Sequence, residues 1–393
     1  MNPLPDTTYV LVGRCLAPFL TDIQKEDLAR DLARPGIRWE ALLIEANQQH
    51  ATPLWYARLA EHGLLDLLPG DLREYLVQLH AANRSRNRML RDELDMILGL
   101  FRDSGIPVVL LKGAATFADG LYADQGARLM SDLDLLVPEG DLQEAERLLM
   151  MEGYVDDPTN KAHLDEWPDR ARHGHIATLL HMKKKAAVEL HYKVAYGQSG
   201  RILTAEAACA SADSGTFRGH AVAWLCPAHR LLHNALHATL PHREFLRGRL
   251  RLCDLAEFAA LVARYPNEVR LERFWKSVRS HRLGTAIGSY ALLVRLLMRT
   301  VIKPREISGN SWHRDRLLQS SPSALAPERK LARLRRLAWQ AASFAYDKIH
   351  LPAWTWRNVC YGDAQTPFTA RLTCMVRQLF NPRMLANIFG RTG

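Results

Sequence analysis

Two aspartates stand one residue apart in the apolar run from Ser131 to Val137, and this spacing is the strongest chemical signal in the sequence. A β-strand places residues i and i+2 on one face, so Asp132 and Asp134 point the same way. Two like unit charges about 4 Å apart repel by about 4 kcal/mol at an effective dielectric constant of about 20. A divalent cation bound through oxygen is the usual compensation, so the pair predicts a metal site on a strand.

Further residues in nearby segments extend this chemistry. The turn Lys112-Gly113 follows an apolar segment about twenty residues before the aspartates, and Glu189 stands in an alternating segment after them. Two metal ions about 3.5–4 Å apart, held by a few carboxylates, activate an attacking oxygen and neutralise a leaving pyrophosphate. A glycine lets the backbone approach a phosphate, and a lysine balances the phosphate charge. The combination predicts metal-assisted phosphate chemistry.

The elements that must position these residues are read from apolar periodicity. The predicted helices cover 72–101, 114–122, 142–151, 227–240, 250–264, 271–300 and 325–349, and the predicted strands cover 108–111, 128–137, 176–181 and 186–194. The order is helices, then a small mixed α/β unit, then helices. We therefore expect an N-terminal helical region (1–104), an α/β core (105–200), a helical domain that completes the cleft (201–300) and a basic helical region (301–393), with a linker at 308–322.

Composition places the chain among ordinary globular proteins. It has 393 residues, of which 48% are hydrophobic and 24% are charged. No apolar run approaches the roughly 20 residues needed to span a bilayer, and the N-terminus does not resemble a secretory signal. The six cysteines are scattered without a CxxC pair, a pattern typical of reduced thiols and not of a disulfide framework or a zinc cluster. We therefore expect a cytoplasmic protein with no transmembrane segment.

The formal charge of +10 is unevenly distributed. Residues 301–393 contain fifteen Lys and Arg against five Asp and Glu, so this region alone carries the whole basic excess. Such asymmetry predicts an anionic partner, whether nucleic acid, membrane surface or acidic peptide. A solvated helical face is the alternative interpretation.

Several short motifs resemble those of the nucleotidyltransferase superfamily, which has the DNA polymerase β-like fold. The similarity is closer to a branch of uncharacterised bacterial nucleotidyltransferase-like proteins with a Lys-Gly turn, and it covers roughly residues 35–265. The motifs that carry it are Leu111-Lys112-Gly113, Arg128-Leu-Met-Ser131-Asp132-Leu-Asp134-Leu-Leu-Val137, Gly153-Tyr154, Val188-Glu189-Leu190-His191 and, more weakly, His229-Arg-Leu-Leu-His233-Asn-Ala-Leu-His237 and Arg251-Leu-Cys-Asp254. The resemblance implies an α+β fold, with a small mixed nucleotidyltransferase sheet flanked by N-terminal helices and a C-terminal helical domain.

The resemblance also implies an activity and a set of site residues. It implies that two Mg²⁺ ions assist transfer of a nucleoside monophosphate from an NTP to a hydroxyl or phosphate of an unidentified small molecule, peptide or protein. Asp132, Asp134 and Glu189 would be both the catalytic residues and the metal ligands; Lys112, Gly113, Arg128 and Ser131 would bind the nucleotide. One departure matters, because active members usually carry Gly-Ser in the first turn and this chain has Lys112-Gly113-Ala114.

Each of the cationic and polar residues also has a structural interpretation. Lys112 could pair with Asp132, Arg128 could form a structural salt bridge, and Ser131 could serve only the turn before the strand.

The histidines 229, 233 and 237 recur every four residues and so share one helix face. No Glu lies between them as in HExxH, so packing or acceptor contacts are favoured over a zinc site. A candidate acceptor pocket consists of His191, His237 and Asp254. For His191 the alternative is a half-buried sheet histidine, and for Asp254 it is a pair with Arg251.

Three classes of function follow. The first is a metal-dependent nucleotidyltransferase. The second is a catalytically degenerate module of the same fold that binds a nucleotide or a partner, as the missing hydroxyl in the first turn suggests. The third is a nucleic-acid-acting transferase that holds a phosphate backbone through its basic C-terminal region.

Overall fold

The computed structural model describes residues 7–158, 160–161, 174–184, 186–195, 198–240, 250–266, 268–281, 283–300 and 302. The predicted linker at 308–322, the predicted helix at 325–349 and almost all of the basic region 301–393 lie outside the described residues. The α+β class is confirmed, whereas the four-part division of the chain stays a prediction.

Helices form the N-terminal part, as predicted. They are α1 (Thr8–Cys15), α2 (Asp22–Leu32), α3 (Trp39–Gln48), α4 (Thr52–Glu61) and the 34-residue α5 (Gly70–Asp103). Helix α5 includes the predicted helix at 72–101, and its apolar stripe from Leu76 through Leu90 and Leu94 to Phe101 is buried. This long helix packs its apolar side against the sheet. It also carries Asn83 and Asn87, which bind the loop that precedes strand β2.

Seven strands form one mixed sheet within the part of the chain that the structure describes. They are β1 (Val109–Leu110), β2 (Asp132–Leu136), β3 (Tyr154–Asp156), β4 (Leu179–His181), β5 (Ala187–His191), β6 (Asp213–Phe217) and β7 (His220–Trp224). Their order across the sheet is β3-β4-β5-β2-β1-β7-β6. Strand β2 is central and pairs in parallel with β5, which places Asp134 directly opposite Glu189.

The aspartate strand is shorter than the predicted 128–137. Residues before Asp132 form a loop because Asn83 and Asn87 of α5 donate hydrogen bonds to its carbonyl oxygens; both donate to Arg128 O, at 2.9 and 2.8 Å. A backbone carbonyl that accepts two side-chain amides is not available to a strand ladder.

The sequence analysis missed the β6–β7 hairpin. Its two-residue turn, Arg218-Gly219, has φ values of 49° and 88°, typical of the type I′ turn that matches the twist of paired strands. Strand β7 then pairs in parallel with β1, so the hairpin adds two strands to the sheet on the side of β1, the strand that leads into the Lys-Gly turn.

The remaining helices are α6 (Lys112–Asp119), α7 (Leu142–Met151), α8 (Gln198–Ile202), α9 (Ala205–Ala210), α10 (Pro227–Thr239), α11 (Leu252–Arg264), α12 (Glu268–Ser280) and α13 (Gly284–Met298), with 3₁₀ turns at Leu65–Leu67 and Glu139–Asp141. Helix α7 has the predicted bounds. The single helix predicted over 271–300 is wrong, because α12 ends at Ser280 and a separate helix, α13, begins at Gly284. Glycine is a poor helix former, so the interruption falls next to it.

The two faces of the sheet contact different cores. Leu133 and Leu135 of β2, with Val188 and Leu190 of β5, pack into an apolar cluster with α5 and α7. Leu136, on the opposite face, belongs to the cluster formed mainly by the helices. Asp132, Asp134 and Leu136 point to the face of the sheet opposite to that of Leu133 and Leu135. This acidic face therefore faces the helices of the cluster that contains Leu136.

Candidate active site

The acids of the two parallel strands converge on the acidic face of the sheet. Strand register aligns Asp134 with Glu189 and Leu136 with His191. One ligand atom from each of Asp134, Glu189 and His191 lies within 4.8 Å of the other two. The structure therefore brings together two of the three predicted metal-binding acids and one residue of the predicted acceptor pocket. We call these three residues the carboxylate cluster.

Lys112, from outside the carboxylate cluster, and His191, within it, both donate hydrogen bonds to Asp134. Lys112 Nζ donates to Asp134 Oδ1 at 2.6 Å and lies 3.9 Å from Glu189 Oε2. His191 Nε2 donates to the same Asp134 oxygen at 2.9 Å and lies 3.4 Å from Glu189 Oε2. The pairing of Lys112 with Asp132, which the sequence left open, is wrong: its partner is Asp134.

These contacts set the protonation states within the cluster. Burial alone would raise the pKa of Asp134, but the charge of Lys112 and the hydrogen bond from His191 hold it well below its usual range. Burial likewise acts against ionised Glu189, yet its pKa is lowered, chiefly by the hydrogen bond with His191. Burial disfavours the imidazolium form of His191, whereas hydrogen bonds to Asp134 and Glu189 raise its pKa. Both carboxylates are therefore ionised at neutral pH.

Asp132 differs from its neighbours because its side chain makes no hydrogen bond and no ion pair with the residues that the structure describes. Burial raises its pKa and the negative charge of Asp134 raises it further, whereas the charges of Lys112 and Arg128 act in the opposite direction. Asp132 is thus a carboxylate at the edge of the cluster with no cation in direct contact.

The backbone at the Lys-Gly turn is tied to the aspartate strand. Leu111 N donates to Asp134 O at 3.0 Å, and Lys112 then begins α6 with φ at 40°. The left-handed region is uncommon for residues other than glycine and typical of functional sites. Helix α6 covers Lys112–Asp119, so it begins two residues before the predicted helix at 114–122 and ends three residues before it. Lys112 is its first residue and is not part of a separate turn.

Arg128 packs directly over Gly113. A Cβ added at Gly113 would overlap the Arg128 guanidinium and lie 2.8 Å from Met130 Cε. Arg128 Nε and Nη2 each lie 2.9 Å from Glu257 Oε2 of α11. The structural salt bridge considered for Arg128 is therefore present, and Gly113 leaves the space that the guanidinium fills.

The remaining predicted nucleotide-binding residue, Ser131, stands at the start of β2. Its side chain is exposed, and its carbonyl oxygen accepts a hydrogen bond from Ala187 N at 3.2 Å.

The three histidines of α10 do not form one group. Burial and the nearby charge of Lys112 lower the pKa of His233 to about 3, so this imidazole is neutral at physiological pH. Burial and Lys112 also lower the pKa of His237, with Arg251 among the further causes. By contrast, His229 Nδ1 lies 3.1 Å from Ser211 Oγ, away from the carboxylate cluster.

Asp254 of α11 forms the ion pair that was the alternative to an acceptor role. Its Oδ2 accepts a hydrogen bond from Arg251 Nε at 2.9 Å. The charge of the same arginine, Arg251, also contributes to the lowered pKa of His237.

The sequence analysis missed four residues of the site. Asn83 and Asn87 donate hydrogen bonds to the loop before β2, and Glu257 forms the salt bridge with Arg128. The fourth is His175, whose ring centroid lies 5.1 Å from that of His191. The i, i+4 spacing of the asparagines on a predicted helix face was a readable signal, since buried amides require partners. Glu257 and His175 gave no such signal, because their partners are distant in sequence.

The residues present fit a divalent cation. Asp134 and Glu189 supply oxygens, His191 supplies an imidazole nitrogen, and Asp132 adds a carboxylate with no cation in direct contact. The ammonium of Lys112 already occupies a cation position between two of these groups. Oxygen ligands suit Mg²⁺, and a mixed oxygen and nitrogen set also suits Mn²⁺.

On this α+β fold, acids from adjacent parallel strands lie next to a strand-turn-helix that carries a basic residue. The chain belongs to a family described as uncharacterised nucleotidyltransferase, which matches residues 35–299. The resemblance to nucleotidyltransferases is thus confirmed, and the narrower assignment to a Lys-Gly branch stays a prediction. No curated protein and no solved structure matches the chain.

Among the described residues, no helix combines the length and the apolar character that a membrane span requires.

Proposed function

We propose that this protein transfers a nucleoside monophosphate from an NTP to a hydroxyl or phosphate acceptor, with two Mg²⁺ ions at the acidic face of the sheet. The convergence of Asp134 and Glu189 from adjacent parallel strands, with Asp132 on the same face of the sheet and in contact with no cation, carries the proposal. Membership of a nucleotidyltransferase family supports the same chemistry.

Asp132, Asp134 and Glu189 would hold the ions, and His191 offers a further ligand. When bound, the ions would neutralise charge on the attacking and leaving oxygens. Transfer forms a bond between the acceptor oxygen and the α-phosphorus and breaks the bond from that phosphorus to pyrophosphate. The lowered pKa of Glu189 keeps it ionised, so it can accept the proton of a hydroxyl acceptor.

Lys112 and Arg128 would bind the triphosphate. Both are cationic and flank Gly113 at the N-terminus of α6, where the helix dipole also favours an anion. Lys112 Nζ supplies a point charge, whereas Arg128 has N–H groups beyond those near Glu257 and can bind two oxygens at once. Ser131 offers an exposed hydroxyl at the same end of β2.

On the acceptor side we place His191 and His237, with Asp254 behind them. His237 is neutral at physiological pH because its pKa is lowered, so it can donate or accept one hydrogen bond without adding charge. Such a lining suits an acceptor that carries a hydroxyl.

The test is the Asp132→Asn variant. The lost carboxylate should lower the rate of pyrophosphate release from NTP and Mg²⁺, measured with a set of candidate acceptors, by about 100-fold or more, because even residues that only support metal ligands matter by 10–100-fold. The unfolding free energy should not fall, since Asp132 forms no ion pair with the described residues and its burial as an anion is unfavourable.

Asp141→Asn is the matched control. Asp141 precedes α7, its side chain forms no cap hydrogen bond, and it is on the same α/β unit. Control and wild type should release pyrophosphate at the same rate. Full activity in Asp132→Asn would contradict the proposal.

A degenerate binding module is the second candidate, because Lys112-Gly113-Ala114 lacks the serine that active relatives of this fold usually carry. Calorimetric titration with NTP and Mg²⁺, paired with a screen for pyrophosphate release over many acceptors, separates the two. Saturable binding without release in any reaction would favour the module. A role for the basic C-terminal region in binding nucleic acid stays a prediction, because that region lies outside the described residues.

A further inference from the structure

Lys112 stands where a divalent cation of the proposed site would have to stand. Its ammonium lies 2.6 Å from Asp134 Oδ1 and 3.9 Å from Glu189 Oε2. These are two of the three groups whose ligand atoms lie within 4.8 Å of one another. An ammonium and a metal ion compete for this position, because an ion bound to Asp134 Oδ1 would stand next to the ammonium that now contacts that oxygen and would repel it as a like charge.

Without a cation, the cluster would be a source of repulsion. Asp134 is almost fully buried, with a side-chain exposure of 2%, and Glu189 is directly opposite on the adjacent strand. Two ionised carboxylates in such surroundings repel strongly. Lys112 therefore stabilises the metal-free cluster, and His191 completes the compensation through the same Asp134 oxygen.

Lys112 is the most exposed member of this group. Its side chain is 25% exposed, whereas those of Asp134, His191 and Glu189 are 2%, 7% and 19% exposed. Its Cα is at the first position of α6, and a rotation of its four-carbon side chain can carry the ammonium from the sheet towards the helix N-terminus. That end of α6 also has the Arg128 guanidinium packed over Gly113. A lysine there meets phosphate oxygens at a point where the helix dipole already favours them.

We infer that Lys112 is an exchangeable counter-ion: it holds Asp134 and Glu189 together in the metal-free protein, gives them up to an incoming divalent cation, and then binds the NTP phosphates. The inference rests on the proposed function and deepens it, since it assigns one residue to two successive partners. It also bears on the departure from the Gly-Ser turn: Ala114 stands where the serine would follow the glycine, and Lys112, on the other side of Gly113, would supply the phosphate contact. Metal and NTP binding are then coupled, because metal binding releases the group that the phosphates need.

The decisive experiment measures Mn²⁺ affinity, by calorimetry in the absence of NTP, in the wild type and in Lys112→Met. Methionine keeps most of the side-chain volume and removes the charge. The variant should bind Mn²⁺ at least about fivefold more tightly, because the ion no longer displaces an ammonium. Its metal-free melting temperature should be lower than that of the wild type, and saturating Mn²⁺ should restore it.

Two further variants serve as controls. Lys183→Met removes one positive charge from the exposed turn between β4 and β5 and should leave the Mn²⁺ affinity unchanged. Lys112→Arg keeps the charge and should stay close to the wild type in Mn²⁺ affinity. Unchanged or weaker Mn²⁺ binding by Lys112→Met would overturn the inference.

A measurement on the wild type avoids any dependence on how the variants fold. Acylation of lysines by an amine-reactive ester, read by mass spectrometry, should label Lys112 several-fold faster when Mg²⁺ is present, whereas labelling of Lys183 stays constant. Equal labelling of Lys112 with and without Mg²⁺ would contradict the exchange. The proposed function fails separately: if neither wild type nor Lys112→Met binds Mn²⁺ or Mg²⁺, the metal site itself is wrong, whereas equal binding by both removes only the exchange.

Discussion

At the scale of single residues, the contact between Gly113 and Arg128 links the phosphate side of the site to the helical part of the protein. The guanidinium occupies the space a side chain at 113 would need, and its salt bridge with Glu257 fixes it there. Because Arg128 packs against Gly113 and forms a salt bridge with Glu257, few rotamers are open to its side chain. Its remaining N–H groups are therefore preorganised for an anion.

Gly113→Ala should destabilise the protein and weaken nucleotide binding together. The new methyl group would overlap the Arg128 guanidinium and come within 2.8 Å of Met130 Cε, so both side-chain ends must shift, and a shift of the guanidinium disturbs its salt bridge with Glu257. Overpacking of this kind costs about 1–3 kcal/mol in unfolding free energy, and we expect a rise in KM for NTP with a smaller change in kcat.

Gly140→Ala is the matched control for chemical denaturation and kinetics, because a Cβ at Gly140 meets nothing within 4 Å. If Gly113→Ala unfolds at the same denaturant concentration as this control, the tight packing inferred at Gly113 is wrong.

Residue patterns predicted part of the site and missed the rest for a physical reason. A period of two fixes which side chains share a strand face, so the same-face placement of Asp132 with Asp134, and of Glu189 with His191, followed from the sequence. Which cation pairs with which acid depends on the approach of α6 to the sheet, and on a left-handed backbone at Lys112 that no local pattern announces. The partner of Lys112 was therefore left as Asp132 when it is Asp134.

At the scale of elements, helix α5 acts as a scaffold for the loop that leads into the aspartate strand. Asn87 Nδ2 donates to Gln125 O at 2.7 Å and to Arg128 O at 2.8 Å, and Asn83 makes equivalent bonds one turn earlier. His80 pairs with Asp124 at 2.7 Å in the same loop. The position of Arg128, and hence of its guanidinium, is thus set from α5.

Asn87→Ala should cost about 0.5–1.5 kcal/mol in unfolding free energy, because it removes the hydrogen bonds to Gln125 O and Arg128 O, although Arg128 O keeps its bond from Asn83. Gln78→Ala, on an exposed face of the same helix, should change the unfolding free energy by less than about 0.5 kcal/mol. Equal effects of the two variants in urea denaturation would show that the asparagine does not hold the loop.

Long elements with a clear period were predictable and short ones were not. Helices α5 and α7 have apolar faces that repeat over several turns, so their presence followed from the sequence. The β6–β7 hairpin has only five residues per strand and few large apolar residues among polar and small ones, so it shows no sustained period, and β7 is held in the sheet by its pairing with β1. Its one local signal was the Arg218-Gly219 turn.

At the scale of the whole molecule, the acidic face of the sheet is closed by helices that supply neutral histidines. Burial lowers the pKa of both His233 and His237, and the positive charge of Lys112 lowers both further. The fold thereby places imidazoles near the site in a form that adds no charge at neutral pH. It also makes stability depend on pH, because the unfolded chain protonates these rings and the folded chain does not.

The sign of that dependence follows from the two pKa values of His233, about 6.5 in the unfolded chain and about 3 in the folded protein. Between them the unfolded state binds the extra proton, so the unfolding free energy falls as pH falls. From pH 7 to pH 5 the loss from His233 alone is about 2 kcal/mol. His233→Leu should remove that part of the difference, measured as unfolding free energy in urea at the two pH values.

Each protein is compared with itself at the two pH values, so the packing effect of the leucine cancels. His191 acts in the opposite direction, since Asp134 and Glu189 raise its pKa, but it is present in every variant and also cancels. His229→Leu is the control on the same helix, because the His229 ring contacts Ser211 away from the carboxylate cluster. If His233→Leu and His229→Leu keep the same pH dependence as the wild type, His233 is not held neutral by burial.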